Sequence, residues 1–120
     1  MRNQPKYNFF KNTKYALDGI KDLISSEKSF KIELFLAFIL IPIIIIIDLT
    51  LVDKLFMFIT LMLILISEAI NSAIERVVDL VTLEYHDMAK RAKDVGSSIV
   101  FLSIIVFIVV WGNILFKQYF

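Results

Sequence analysis

The sequence predicts an all-α membrane protein: an N-terminal amphipathic surface helix followed by three transmembrane helices. Three observations carry this. Hydrophobic residues make up 58% of the 120, with a mean hydropathy of +0.77. That content is gathered into three blocks, each close to the roughly 20 residues that cross about 30 Å of hydrocarbon. Of the 13 Lys and Arg residues, eleven fall on one side of those blocks, an asymmetry hidden by a net charge of +1. Three helices in so short a chain enclose little by themselves, so self-association is expected. There are no cysteines, which excludes disulfides and thiolate metal sites.

The chain reads as a single integral-membrane domain over 1–120, with surface helices in 1–33 and spans at 34–52, 55–75 and 98–116. The first 33 residues are polar and charged, so no signal peptide is expected. Within them Phe10, Thr13, Leu17, Ile20 and Ile24 recur at helical spacing, with Lys11, Lys14, Asp18, Lys21 and Asp22 between them. That pattern describes an amphipathic helix lying on the membrane, its lysines towards anionic headgroups. Gly19 weakens it slightly. "SSEKSF" at 25–30 predicts a break, then a second short helix leading into the first span.

The first span, "LFLAFILIPIIIIIDLTLV", contains Pro42, which predicts a kink tolerated where neighbours satisfy the freed carbonyl. "DLTLVDK" reads as a short external turn flanked by the interfacial charges Asp48 and Asp53. The second span runs apolar from Leu55 to Ile66 apart from Thr60, and "SIVFLSIIVFIVVWGNILF" makes the third. The basic residues cluster in the N-terminal segment, from Arg2 to Lys31, and after the second span, at Arg76, Lys90, Arg91 and Lys93. The positive-inside rule therefore places the N-terminus in the cytoplasm and the C-terminus outside, in the cytoplasmic (inner) membrane.

The second span ends in "SEAINSAIERVVD". At helical pitch Glu68, Asn71, Ser72, Glu75 and Asp79 fall within about 100° of arc, while alanine, isoleucine and valine fill the rest. Asn71 and Ser72 alone would be ordinary interhelical hydrogen-bonding groups. Two glutamates and an aspartate on the same face, without an obvious basic partner, mark a functional site. Carboxylates at such a place suit a hard cation such as Mg²⁺, which binds few protein ligands and keeps waters or phosphates. Lys93 is placed to meet phosphate oxygens. There is no GxxxxGK[ST] and no GxGxxG, so a nucleotide site here is not of a soluble type.

"EAINSAIERVVD" followed by "EYHDMAKRAKDVGSS" closely resembles the signature of the prokaryotic diacylglycerol kinases, small trimeric three-span enzymes. The resemblance takes in the surface helix and "SEKSFKIE", and so covers nearly the whole chain. It implies an ATP- and Mg²⁺-dependent phosphorylation of 1,2-diacylglycerol to phosphatidate by a homotrimer, with no nucleic-acid partner. By matching position, Glu68 is the general base for the lipid hydroxyl, and Glu75 and Glu27 are the metal ligands. Tyr15, Glu27, Glu75, Glu84, Tyr85, His86, Lys93 and Asp94 match nucleotide contacts. Glu33, Glu68, Ser97 and Trp111 match the lipid side, with Asn71, Ser72 and Asp79 supporting. Where the family often has an arginine near the start of the surface helix, this chain has Asn8.

Undecaprenol is the alternative acceptor, although "RAKDVGSS" is closer to the diacylglycerol branch. A small oligomeric channel or transporter would use the same carboxylates as a pathway. Its polar residues would continue through the membrane, whereas Leu55–Ile66 holds only Thr60, and it would not need "EYHDMAKRAKD" beside the stripe. A structural subunit leaves the glutamates unexplained. The topology has its own test: a reporter active only in the cytoplasm, fused after Phe120, is expected to be silent, and activity there would reverse the orientation.

Overall fold

The computed structural model describes residues 6–120, so Arg2 lies outside the described residues. Four helices follow in order: α1 Phe9–Ser26, α2 Lys28–Ile46, α3 Leu51–Val81 and α4 Asp87–Tyr119. There is no strand among the described residues. The last three helices are each long and apolar enough to cross a membrane, and the chain is a membrane protein.

Asn8 caps α1: in extended conformation, its Oδ1 accepts from the Lys11 N–H at 3.0 Å. An asparagine in that role satisfies one of the free N–H groups of the first turn. This helix buries no residue. Phe10 and Leu17 stay exposed, as do Ile20 and Ile24, while Leu23 packs against the core. Intramolecular packing therefore does not consume the apolar stripe seen in the sequence.

The break is a single residue. Glu27 (φ −108°, ψ 110°) ends α1, its N–H bonded to the Leu23 carbonyl at 2.9 Å, and its own carbonyl accepts from Lys31 as α2 begins. The separate short helix expected before the first span does not form. Residues 28–33 hold neither Pro nor Gly, and burial of Phe30 binds them into α2, which runs without interruption through Pro42 to Ile46.

The α2–α3 turn is shorter than "DLTLVDK", covering residues 47–50. Thr50 caps α3 by accepting from the Asp53 N–H at 3.2 Å, which puts Asp53 in the first turn, where the helix dipole favours an acid. Lys54 Nζ donates to the otherwise unpaired Ile45 carbonyl at 2.8 Å, and Lys117 pairs with Asp53 at 3.3 Å.

At 1.5 Å per residue, α3 and α4 are each roughly 45–50 Å long, well beyond the bilayer core. They form an antiparallel pair closed by residues 82–86, and much of "EYHDMAKRAKD" is helix rather than loop. The core joins Phe30, Ala37 and Ile44 of α2 to Met57, Leu61 and Leu65 of α3, with Ile114 of α4. Thr60, the polar residue of the Leu55–Ile66 run, is used here. Trp111 Nε1 donates to its Oγ1 at 3.1 Å and to the Met57 carbonyl at 3.2 Å, while the Phe107 ring lies 4.5 Å from Trp111.

Gly96 brings α4 against the polar part of α3. A Cβ there would lie 2.5 Å from Asn71 Oδ1 and 3.5 Å from Ile74 Cδ1, whereas one at Gly112 would meet nothing within 4 Å. Gly96→Ala would force the Asn71 amide to move and strain its bond to Glu75, a loss of about 1 kcal/mol that alanine's helix preference partly offsets, so it should be less stable than Gly112→Ala. Gly112→Ala should be neutral or stabilising, since alanine favours helix. Thermal unfolding of both variants in the same detergent checks this; equal midpoints would remove the steric argument.

Candidate active site along the buried face of α3

Going from the α2–α3 turn towards the α3–α4 loop, the buried side of α3 presents Met57, Leu61 and Leu65, then Ser67, Glu68, Asn71 and Ser72. Glu75 lies half-buried one turn further on. Glu68 is only 8% exposed. Its charge interacts with those of Glu75, Glu27 and Glu33. The fold thus gathers four carboxylates from the α1–α2 corner, α2 and α3. Among the described residues no ion pair reaches Glu33, Glu68 or Glu75; of the four, only Glu27 has one. Glu33 Oε2 is buried without a hydrogen-bond partner. Glu75 Oε1 accepts from Asn71 Nδ2 at 3.2 Å, and Asn71 Oδ1, also buried and unpaired, faces Gly96.

An apolar groove of about 140 Å³ lies on the α2–α3 side of this cluster, with Glu33 among its lining residues beside Leu36, Leu40, Leu61 and Phe107. At the other end, the ends of α3 and α4 enclose an open cavity of about 390 Å³ lined by Glu84, Tyr85, His86, Lys93 and Asp94 over Val78 and Ala89. Five of the expected nucleotide positions thus come together. His86 caps α4, its Nδ1 accepting from the Met88 N–H at 3.1 Å, which leaves Nε2 to carry the proton in the neutral ring. Tyr85 donates to Asp87 at 2.8 Å, and that bond holds its phenol above the usual tyrosine range.

Other expected positions lie elsewhere. Tyr15 is exposed on α1 and does not line the hairpin cavity. Ser97 is exposed on α4. Trp111 sits level with Thr60, roughly 12 Å along the helix axis from Glu68, and reaches the groove only through its stacking on Phe107. Lys93, read as a phosphate contact, is paired with Asp79 at 2.7 Å, and Asp94 with Lys90 at 2.7 Å.

Lys93 corrects the expectation of no basic partner for Asp79 alone; Glu68 and Glu75 have none among the described residues. Asp79 has Lys93, and Arg76 binds Asp22, Ser26 and Glu27. Arg76, expected after the second span, belongs to α3. Its role was hidden because Asp22 and Glu27 are about fifty positions away and flank a helix break.

The prokaryotic diacylglycerol kinase family matches residues 14–115. The chain is 41% identical over 105 residues to a diacylglycerol kinase of Haemophilus influenzae, covering 88% of this chain and 89% of that protein. It is 38% identical over 103 residues to one from Pseudomonas aeruginosa, covering 86% and 84% of the two chains. With one from Escherichia coli it shares 32% over 105 residues, covering 88% and 86%.

Proposed function

The chain belongs to the prokaryotic diacylglycerol kinase family, and from that premise we propose that it transfers the γ-phosphoryl group of ATP to the free hydroxyl of 1,2-diacylglycerol, giving phosphatidate and ADP. The supporting observation is the order of features along α3: an apolar groove, then Glu68, then Glu75, then the polar hairpin cavity. A membrane-borne alcohol and a water-borne nucleotide need such an arrangement. Glu68 and Glu75 are about 10 Å apart along the axis, which leaves space for an acceptor at one and a phosphate chain at the other.

Glu68 would accept the hydroxyl proton as the oxygen–phosphorus bond forms, while the γ-phosphorus parts from the β,γ-bridging oxygen and ADP leaves. Burial and a position beside the groove suit it to that role. Glu33 would line the lipid side with Ser97 and Trp111. Glu84, Tyr85, His86, Lys93 and Asp94, with Tyr15 from α1, would hold the nucleotide. Lys93 exchanges Asp79 for phosphate in this reading.

The residues fit a Mg²⁺ ion at Glu27 and Glu75. Glu68 lies in Coulombic reach of Glu33, Glu75 and Glu27, and of these only Glu27 has a cationic partner among the described residues, Arg76, so the cluster favours further compensating charge. Mg²⁺ binds few protein ligands and completes its shell with water and phosphate, so two carboxylates are a sufficient donor set for it, although no group of three or more metal-ligating side chains occurs among the described residues. When bound, that ion would neutralise charge on the phosphates. The assembly would be a homotrimer in the cytoplasmic membrane, with the N-terminus and the hairpin cavity on the cytoplasmic side.

A radiolabelled-phosphate assay in detergent, with diacylglycerol and undecaprenol offered side by side, tests the acceptor; transfer to undecaprenol alone would overturn it. Glu75→Gln keeps shape but loses the charge a hard cation needs, so turnover should vanish while fold and oligomer persist. Wild-type turnover at limiting Mg²⁺ would sink that role. For Glu68→Gln a kcat loss of at least about a hundredfold is expected, with nucleotide affinity largely kept. If instead the variant turns over normally but unfolds more readily, Glu68 belongs to packing and not to the chemistry.

A further inference from the structure

Arg76 follows Glu75 on α3, and its guanidinium reaches three residues of the α1–α2 corner. Nη1 donates to Asp22 Oδ2, and Nη2 to Ser26 Oγ at 3.0 Å and Glu27 Oε1 at 2.9 Å; Nε donates to the same Oε1 at 3.2 Å. Both bonds to Glu27 thus fall on one carboxylate oxygen. Among the described residues Oε2 accepts none.

Stability is not the main consequence. The Arg76 side chain is 44% exposed, and exposed pairs contribute little, about 0–1 kcal/mol. Orientation is what a planar guanidinium supplies, because its donors are fixed in a fork that a lysine cannot imitate. Orientation matters here because Glu27 is a lone non-helical residue between two helices, and little besides Leu23 holds α1 to the bundle. Carboxylates that bind metals are themselves hydrogen-bonded, and those outer partners typically change metal affinity by roughly 10–100-fold.

We propose that Arg76 is a positioning residue for phosphoryl transfer: it holds Glu27 by Oε1, leaves Oε2 open as a single-oxygen ligand, and fixes the α1–α2 corner beside Glu75. This rests on the reading of Glu27 and Glu75 as the cation-binding pair. Asp22 and Ser26 steady the guanidinium from the α1 side. Arg76 and Asp22 both border the gap between Ala16 and Gly19 of α1 and Ala69 and Ala73 of α3.

The test uses the full chain in detergent, Mn²⁺ as a paramagnetic probe and a non-hydrolysable ATP analogue, with bound Mn²⁺ read by electron paramagnetic resonance. Arg76→Gln is expected to weaken Mn²⁺ binding roughly 10–100-fold. Arg76→Lys keeps the charge but not the fork, so it should also be weakened; a purely electrostatic role would be rescued by lysine. Asp22→Asn leaves the Glu27 contacts and should lose much less than Arg76→Gln. Wild-type Mn²⁺ affinity in Arg76→Gln or Arg76→Lys would overturn the proposal, and Arg76→Lys decides it if the glutamine variant does not fold. Glu27→Gln and Glu75→Gln run in parallel. If both bind Mn²⁺ like wild type, the cation reading beneath this inference falls; if they lose binding while Arg76→Gln keeps it, only the role of Arg76 falls.

Discussion

The face of α3 buried against α2 and α4 carries Met57, Leu61 and Leu65 in one half and Glu68, Asn71 and Ser72 in the other. Helical spacing makes these one continuous stripe, so the surface that holds the helices together also presents the carboxylates. The apolar half removes hydrocarbon surface from other surroundings and sets the register, with Trp111 hydrogen-bonded to Met57 and Thr60 as its polar fastening. The polar half inherits that register. A slip of α4 along α3 would move Gly96 off Asn71 and lose the close approach of the two helices there.

Electrostatics sets the polar half apart from ordinary packing. Among the described residues its two glutamates, Glu68 and Glu75, and Glu33 of α2 beside them have no cationic partner, and Glu33 buries an oxygen with nothing to accept from. Bringing like charges together at partly dehydrated positions costs free energy that packing elsewhere must offset. Such an arrangement makes sense where a bound cation, a proton in transit or a hydrogen-bonding substrate completes it. The compensated acids differ: Asp79 with Lys93 and Asp94 with Lys90 are exposed pairs of small energetic weight, and so are easily exchanged for a ligand's charges.

The surface helix links chemistry to dynamics. Its apolar residues face outward, and apart from Leu23 little holds it to the bundle. A helix so placed belongs to the low-stability end of a fold, yet the corner at its end carries Glu27. In the proposed role of Arg76 the two are reconciled, since a loosely packed element can still deliver a well-placed carboxylate when a planar guanidinium holds it.

The sequence by itself determined the class, the number of spans and the identity of the polar stripe, because each is written locally. Block length reads against bilayer thickness, and the positions of Glu68, Asn71, Ser72, Glu75 and Asp79 read against helical pitch. Family membership was legible for the same reason, the signature being contiguous. Tertiary structure decided the rest. Fusion of the short helix into α2 followed from the burial of Phe30, and the shortened turn from the capping bond of Thr50, neither visible in hydropathy. The partners of the acids, Arg76 for Asp22 and Glu27 and Lys93 for Asp79, depend on which helix faces cross. Crossing is fixed by packing between residues dozens of positions apart, and no local pattern encodes it.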